Sequence, residues 1–280
     1  HARYDVGGEL EFGWHRFEER FEVAEEPHEP NRFGWVVEYD PYDPASKALK
    51  RTALGRIKHE AATCVLNHDG RAVVYTGDDD EFEFVYKFVS AQAWDPKDPA
   101  SARTLLDEGT LYVARFADDE TLEWLPLVHG TGALTKETGF ESQADVLIEA
   151  RTAATLLGAT PMDRPEDVET NPATGLVYVM LTNNNLRKAE QLDAPNPRKK
   201  NRHGHVLELA PPKDARGARD HAATKFAWKV FLLAGDPKDE KAGARYGSGT
   251  SEHGWLSCPD NCAFDRLGRL WIATDGLMHS

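Results

Sequence analysis

The sequence predicts an all-β fold, specifically a β-propeller with one or two inserted helices. Short segments that alternate apolar and polar residues recur along the chain, bounded by Gly, Pro, Asn or Asp, which is typical of half-buried strands. One plan also occurs three times: a strand, a polar turn ending in glycine, and a second strand. The turn glycines are Gly70, Gly175 and Gly268, and their spacings of 105 and 93 residues each match about two propeller blades. A β-sandwich would explain the alternation but not the repeated plan.

The individual elements follow from the same signals. Segments predicted as strands are 33–39, 51–54, 62–66, 72–76, 84–90, 110–116, 122–127, 176–182, 205–209, 227–233, 262–265 and 269–274. One helix is predicted over 142–157, with Ser142 or Gln143 near its start and Gly158 just past its end. Long polar stretches at 91–104, 186–202 and 211–224 are predicted to be surface loops.

Composition limits the function classes. The 280 residues carry a formal net charge of −14, and 40% of them are hydrophobic, enough for a packed core. The acidic balance argues against nucleic acid or an anionic membrane as partner. The sequence contains no run of 18 apolar residues, so it predicts no membrane-spanning helix. The charge is compatible with carboxylates gathered to hold cations.

The chain ends and the three cysteines give little information about function. The chain begins with His1 rather than Met and ends abruptly, so we expect a fragment or a processed form. Three cysteines give no disulfide framework. Cys258 and Cys262 are four residues apart and are expected to be small buried residues rather than a metal pair.

An acidic residue lies just before the first strand of each repeat. These residues are Glu60, Glu166 and Asp260, the last followed by Asn261. The innermost strands of a propeller line its central channel, so residues at their entrances converge on one axial site. Clustered carboxylates need cations to neutralise them, and oxygen ligands suit Ca²⁺ while Fe³⁺ also accepts them. Taken singly, each residue could equally be a solvated loop acid.

A second acidic group follows the second strand of the first repeat. Asp78 and Asp79 are candidate outer metal ligands, and Glu83 is expected to face the same end. The competing interpretation is an exposed acidic hairpin.

Three further residues are candidates for contact with a substrate. Arg164 is a candidate catalytic group and phosphate clamp, because guanidinium donors match phosphate geometry; a salt bridge to Asp163 or Asp167 is the alternative. His59, beside Glu60, and Asn201, in the run that ends at His205, are candidate substrate-binding residues. The sequence lacks the His-Glu-x-x-His, Gly-x-Ser-x-Gly, Walker A and Rossmann motifs.

Several long motifs resemble the PhoX alkaline phosphatases. Among them are Asn31-Arg-Phe-Gly-Trp-Val-Val-Glu-Tyr-Asp-Pro, Lys50-Arg-Thr-Ala-Leu-Gly-Arg-Ile-Lys-His-Glu, Ala159-Thr-Pro-Met-Asp-Arg-Pro-Glu and Leu270-Trp-Ile-Ala-Thr-Asp-Gly. They keep their order and cover nearly the whole chain from about Tyr4.

The resemblance implies a six-bladed propeller that hydrolyses small phosphomonoesters at an axial site holding Ca²⁺ and Fe³⁺ together. It implies export by the twin-arginine route to the periplasm or beyond. We also expect a monomer, although the sequence itself leaves the oligomeric state open. Glu60 and Glu166 are then the leading catalytic metal ligands, with Asp260 and Asn261 next. Residues 1–280 would be a single propeller domain that lacks the family's N-terminal segment and final blade. In the family that segment carries further metal ligands, in some members a cysteine bound to iron.

Two other functions stay open on the sequence. A calcium-dependent lactonase-like propeller also surrounds its axis with Glu, Asn and Asp. A non-catalytic propeller would bind a protein or glycan on one face and would hold no metal.

Overall fold

The computed structural model describes residues 2–4, 6 and 12–276. Within these residues the chain forms thirteen strands and two short α-helices. The strands are β1 (Val37–Glu38), β2 (Leu49–Lys50), β3 (Thr63–Leu66), β4 (Arg71–Gly77), β5 (Val85–Ala93), β6 (Gly109–Phe116), β7 (Thr121–Pro126), β8 (Pro165–Thr170), β9 (Val177–Leu181), β10 (His205–Ala210), β11 (Lys225–Leu233), β12 (Pro259–Phe264) and β13 (Leu270–Thr274). The helices are α1 (Gln143–Ile148) and α2 (Ala150–Leu157). The predicted all-β class with one or two inserted helices is confirmed.

Nine strands form one antiparallel sheet in the order β3-β4-β5-β6-β7-β11-β10-β9-β8. It consists of two meanders, β3 to β7 and β8 to β11, which join where β7 pairs with β11. The first strands of the two meanders also meet, because β8 packs against β3 and β4. A further hairpin, β12-β13, packs against β8 and β9. Meanders stacked face to face with their first strands adjacent are the arrangement of propeller blades.

The three repeats form equivalent hairpins, two at the starts of the meanders and the third as the separate β12-β13 hairpin. Gly70 lies in the turn between β3 and β4, Gly175 between β8 and β9, and Gly268 between β12 and β13. All three have positive φ, at 85°, 67° and 74°. A side chain is strained in this conformation, so the shared glycine is a requirement of the shared turn.

The apolar core lies in layers between the blades. Val73 and Tyr75 of β4 pack with residues of β8 to β11, whereas Val74 packs on the other face of the same strand. Every residue from Ala72 to Gly77 is buried, because β4 has core on both sides. A third apolar cluster joins β9, β10 and β11 to the β12-β13 hairpin.

The helical segment follows its predicted bounds. The Ser142 hydroxyl accepts a hydrogen bond from the Asp145 N–H and caps α1, and Gly158 ends α2 in the left-handed conformation. A break at Glu149 divides the predicted helix into two. No helix in the described part of the chain is long and apolar enough to cross a membrane.

Two strand predictions are wrong in part. Segment 51–54 contains a 3-10 turn, Thr52–Leu54, instead of a strand. It begins at Arg51, which is buried and whose guanidinium pairs with Glu38 and Asp107. Segment 33–39 forms only the two-residue strand β1. In segment 51–54 the ion pairs of Arg51 override the apolar pattern.

Candidate metal centre

Three acidic residues from the three repeats meet in the structure. One carboxylate oxygen each of Glu60, Glu166 and Asp260 lies within 4.8 Å of the others. Glu60 precedes β3, Glu166 is in β8 and Asp260 is in β12, so the group gathers at the first strand of each repeat. The predicted approach of Glu60 and Glu166 across 106 residues is confirmed. The role of the three acids as metal ligands stays a prediction.

A one-residue irregularity in strand pairing places each acid. Pro165 pairs with Leu181 and Val168 with Val179, so three residue steps of β8 face two of β9. The acid Glu166 directly follows the paired proline. A bulge of this kind bends the strand and redirects side chains, and bulges are frequent beside active sites.

The same irregularity occurs in the other two repeats. Pro259 pairs with Thr274 and Cys262 with Ile272, again three steps against two, and Asp260 follows the proline. In the first repeat, His59 pairs with Asp78 and Thr63 pairs with Tyr75. Four residue steps on the first strand therefore face three on the second, and Glu60 directly follows the paired histidine. In sequence Glu60 lies two positions out of line with the other acids, yet its structural position is equivalent.

The Glu60 segment is held to the end of β4. The Glu60 N–H donates to the Gly77 carbonyl at 3.2 Å, and the Lys58 N–H donates to the Asp78 carboxylate at 3.0 Å. The Asn261 amide donates to Glu60 Oε1 at 3.2 Å, which ties the first repeat to the third.

Glu166 is the most buried member of the group, with only 2% of its surface exposed. Burial and then the nearby Asp79 raise its pKa to about 9, although Arg164 opposes the shift. Its buried Oε1 accepts no hydrogen bond from the described residues, although Arg164 Nη2 lies 3.1 Å away. A buried carboxylate oxygen in this state is a site where a cation would be stabilised.

Burial also raises the pKa of Glu60 and of Asp260. For Glu60 the neighbouring Asp260 and Asp79 add to the effect, while the Asn261 amide opposes it. For Asp260 the largest electrostatic contributions come from Asp275 and Asp79. Each acid therefore raises the cost of ionising the next.

Arg164 lies among these acids. Its Nη2 is 2.9 Å from Asp79 Oδ1, and its Nη1 is 3.9 Å from Asp275. The predicted alternative partners, Asp163 and Asp167, are not its partners. Arg164 has a φ of 52°, which a non-glycine residue rarely adopts and which occurs where the surroundings fix the backbone.

Two further acids near the group were not predicted as site residues. Asp275 follows β13, and the Asp167 carboxylate accepts a hydrogen bond from the Cys262 N–H at 2.8 Å. A signal for Asp275 existed, because a polar residue follows the second strand of every repeat. Asp167 gave none, since its partner is a backbone N–H from 95 residues away.

The structure does not bring Asp78 into the group. Asp78 is fully buried and both of its carboxylate oxygens bind the Arg151 guanidinium. Glu83 likewise binds Arg3, at 2.8 and 2.9 Å. Asp79 is the predicted outer acid that does lie beside Arg164 and Glu166.

His59 and Asn201 have their polar atoms committed inside the chain. His59 Nε2 donates to the Gly55 carbonyl at 2.9 Å and Nδ1 accepts from the Thr76 hydroxyl at 2.9 Å. The Asn201 amide nitrogen donates to Asp163 and to His205 Nδ1, both at 2.9 Å. These polar atoms therefore have partners within the described part of the chain, and both side chains hold segments next to the acids. The predicted role of His59 and Asn201 in substrate binding stays a prediction.

The thiols do not join the group. Cys258 is buried, and burial raises the pKa of Cys262. All donors within the cluster found among the described residues are carboxylate oxygens. That set suits hard cations such as Ca²⁺.

Comparisons with known proteins give one family and one similar solved structure. A family model described as alkaline phosphatase PhoX matches residues 2–280. A solved structure described as Pseudomonas fluorescens PhoX in complex with vanadate, a transition state analogue, is 44% identical, with a TM-score of 0.90. The match covers 98% of this chain and 49% of that one, so the chain spans about half the length of that relative. No curated protein matches.

Proposed function

Because the chain belongs to the PhoX alkaline phosphatase family, we propose that the protein is a metal-dependent phosphatase that hydrolyses small phosphomonoesters. The observation that carries the proposal is the meeting of Glu60, Glu166 and Asp260 from three separate repeats. The vanadate complex of the similar Pseudomonas fluorescens protein supports phosphoryl transfer as the reaction. No feature of the described residues favours a lactonase or a non-catalytic binding protein.

The residues present fit metal ions. Glu60, Glu166 and Asp260 would hold them, with Asp79 and the Asn261 amide beside them. We propose Ca²⁺ for this oxygen-only set and Fe³⁺ as a further ion. When bound, such ions neutralise phosphate oxygens and lower the pKa of a bound water so that it can attack.

Arg164 is the proposed phosphate clamp. Its guanidinium is held by Asp79 and Glu166 and is about one quarter exposed, at 23%. Arginine keeps its charge at any working pH and donates two parallel hydrogen bonds to a phosphate. Its placement between Asp79 and the buried Glu166 keeps the donors fixed before substrate binds, which is the condition for electrostatic stabilisation of a transition state.

The remaining properties follow the family and are also proposals. We expect a monomeric protein exported to the periplasm or beyond, acting on small phosphorylated organic molecules. The substrate is expected to enter at the ends of the first strands, where the acids lie.

The direct test replaces the acids without changing their shape. Glu60→Gln and Glu166→Gln should each lower p-nitrophenyl phosphate hydrolysis by about a hundredfold or more and reduce bound metal, because each removes a charged ligand. The measurements are phosphatase activity and elemental analysis of bound metal. Hydrolysis of a lactone is measured separately, to test the alternative lactonase function.

The matched control is Asp118→Asn, in an exposed turn between β6 and β7. It should leave both activity and metal content unchanged. Near-normal activity and metal content in both glutamine variants would overturn the proposed site, and hydrolysis of the lactone instead of the phosphate would overturn the reaction.

A further inference from the structure

A basic pocket lies beside the metal centre in a strongly acidic chain. The pocket has a volume of about 300 Å³ and its charged lining residues are Arg198, Lys199, Lys200, Arg202, Lys241 and Asp239. Five cations thus face one carboxylate in a chain whose formal net charge is −14. A local field of this sign attracts anions against the overall charge.

These five cations are not neutralised by the protein. In the part of the chain that the structure describes, no ion pair within 4.0 Å joins any of them to a carboxylate. The nearby Lys238, in contrast, pairs with Glu252. The unpaired charges are therefore a property of the pocket and not of this surface region in general.

Arg198 forms the fixed base of the pocket. Its Nη1 donates to the carbonyls of Ala234 at 2.7 Å and Ala242 at 2.8 Å, and its Nη2 donates to that of Gly204. Its Nε is buried and has no acceptor among the described residues. Because burial is not balanced by an acid in contact, the pKa of Arg198 falls to about 10. An anion in the pocket would supply the missing negative charge.

The pocket wall is bonded to the segments that carry the metal centre. The His203 carbonyl accepts a hydrogen bond from the Cys258 N–H at 2.7 Å. Cys258 precedes Asp260 by two residues, which span about 7 Å of extended chain. The Asn201 side chain binds Asp163, the neighbour of Arg164, at 2.9 Å. The pocket wall and the proposed metal centre are therefore carried by segments that are bonded directly to each other.

We propose that the basic pocket binds an additional phosphate group of a substrate that carries more than one phosphate, while the terminal phosphate occupies the metal centre. The inference rests on the proposed function and deepens it. Exposed lysines act as point charges for such a group, and Arg202 can bind it with two donors. The pocket then favours polyphosphorylated substrates over monophosphates through binding and not through the chemical step.

The test compares adenosine triphosphate with adenosine monophosphate. The triple variant Lys199→Gln/Lys200→Gln/Arg202→Gln should raise KM for the triphosphate roughly tenfold, since each exposed charge contributes a modest part. KM for the monophosphate and kcat for both should stay within about twofold. The triphosphate KM of the unaltered protein should also rise with salt.

The control variant Lys97→Gln/Lys213→Gln/Lys225→Gln removes the same charge from three exposed lysines elsewhere. It should leave the ratio of the two KM values unchanged. An equal KM change for both substrates, or the same loss in the control, would overturn the assignment.

A binding measurement separates this inference from the proposed function. If the unaltered protein hydrolyses neither nucleotide, the phosphatase proposal fails and calorimetry with inositol hexasulfate, a polyanion without phosphate, still tests the pocket. Binding lost only in the triple variant supports an anion pocket. Equal binding by all three proteins overturns it.

Discussion

At the scale of single residues, the partner of a buried acid decides its role. Asp78 and Glu166 are both buried, but Asp78 binds the Arg151 guanidinium with both oxygens. Glu166 has one guanidinium nitrogen of Arg164 at 3.1 Å but three other acids around it. The first arrangement stabilises the fold, because its charges balance. The second has excess negative charge, which is the property expected of a metal site.

The buried Asp78 pair gives a prediction about stability. Arg151→Met should lower the free energy of unfolding by about 3–5 kcal/mol, because it leaves a buried carboxylate without its partner. Urea denaturation measures this loss. The double variant Asp78→Asn/Arg151→Met should recover part of it. Lys136→Met, which breaks the exposed pair with Glu141, should cost about 1 kcal/mol or less. A comparable loss in both single variants would contradict the role of burial.

The buried His205 gives a prediction about pH. Its Nε2 donates to the Pro195 carbonyl and its Nδ1 accepts from Asn201, so the ring is neutral, and burial lowers its pKa to about 4. Below about pH 6.5 this histidine binds a proton in the unfolded chain but stays neutral in the folded chain. Stability should therefore fall between about pH 6.5 and 4, by about 3 kcal/mol from this residue, and be unaffected by it at higher pH.

The measurement is the free energy of unfolding in urea against pH. His205→Gln keeps a donor but cannot titrate, so its stability should fall less steeply over that interval. His253→Gln, at an exposed position, should reproduce the unaltered profile. Identical slopes in all three proteins would show that His205 is not the titrating group.

At the scale of elements, the site depends on three equivalent irregularities. At the start of the first strand of each repeat, one extra residue interrupts the pairing next to the acid. With regular pairing the side chain of the acid would point to the opposite face of the sheet. The bulges therefore account for the position of Glu60, Glu166 and Asp260 on one side. The hairpin glycines fix the strand register that places the bulges.

The close approach of β4 and β8 gives a prediction at this scale. A Cβ at Gly77 would clash with the backbone carbonyls of Pro165 and Glu166. Gly77→Ala should therefore separate β8 from β4, cost about 1–3 kcal/mol and lower phosphatase activity, because Glu166 moves away from Glu60. Urea denaturation and the p-nitrophenyl phosphate assay are the measurements.

Gly247→Ala is the matched control, since a Cβ there meets nothing within 4 Å. It should leave stability and activity unchanged. Full activity in Gly77→Ala would show that the spacing of β4 and β8 does not set the geometry of the acids.

At the scale of the whole molecule, the acids connect three blades. The Asn261 bond to Glu60 and the Cys262 bond to Asp167 cross between repeats, and both lie beside the carboxylate group. Repulsion among the ionised acids opposes this assembly, and bound cations would relieve it. The proposed metal centre is therefore expected to stabilise the contact between blades.

The expected consequence is stabilisation by calcium. Added Ca²⁺ should raise the thermal unfolding midpoint by a few degrees, because a ligand at about a hundred times its Kd contributes about 2.7 kcal/mol to the folded state. Chelation should reverse the shift, which calorimetry would follow. The variant Glu60→Gln/Glu166→Gln should show no calcium response, and an undiminished response in it would place the stabilising ion elsewhere.

The sequence by itself determined the strand pattern, the helical segment and the repeated hairpin, because these depend on alternation, capping and the conformational freedom of glycine. It also indicated Glu60, Glu166, Asp260 and Asn261, because they precede the first strands of the repeats. Local chemistry suffices for such features, since each is encoded by neighbouring residues.

Only the tertiary structure decided which polar side chains were already committed. The sequence could not distinguish the role of Asp78 from that of Asp79, because Arg151, which binds Asp78, is 73 residues away. The partners of His59 and Asn201 were equally invisible, and so was the basic pocket, which combines Lys241 with a loop some 40 residues earlier. Residues far apart in sequence determine which of several identical acidic or polar side chains is paired within the protein. No pattern of neighbouring residues contains that information.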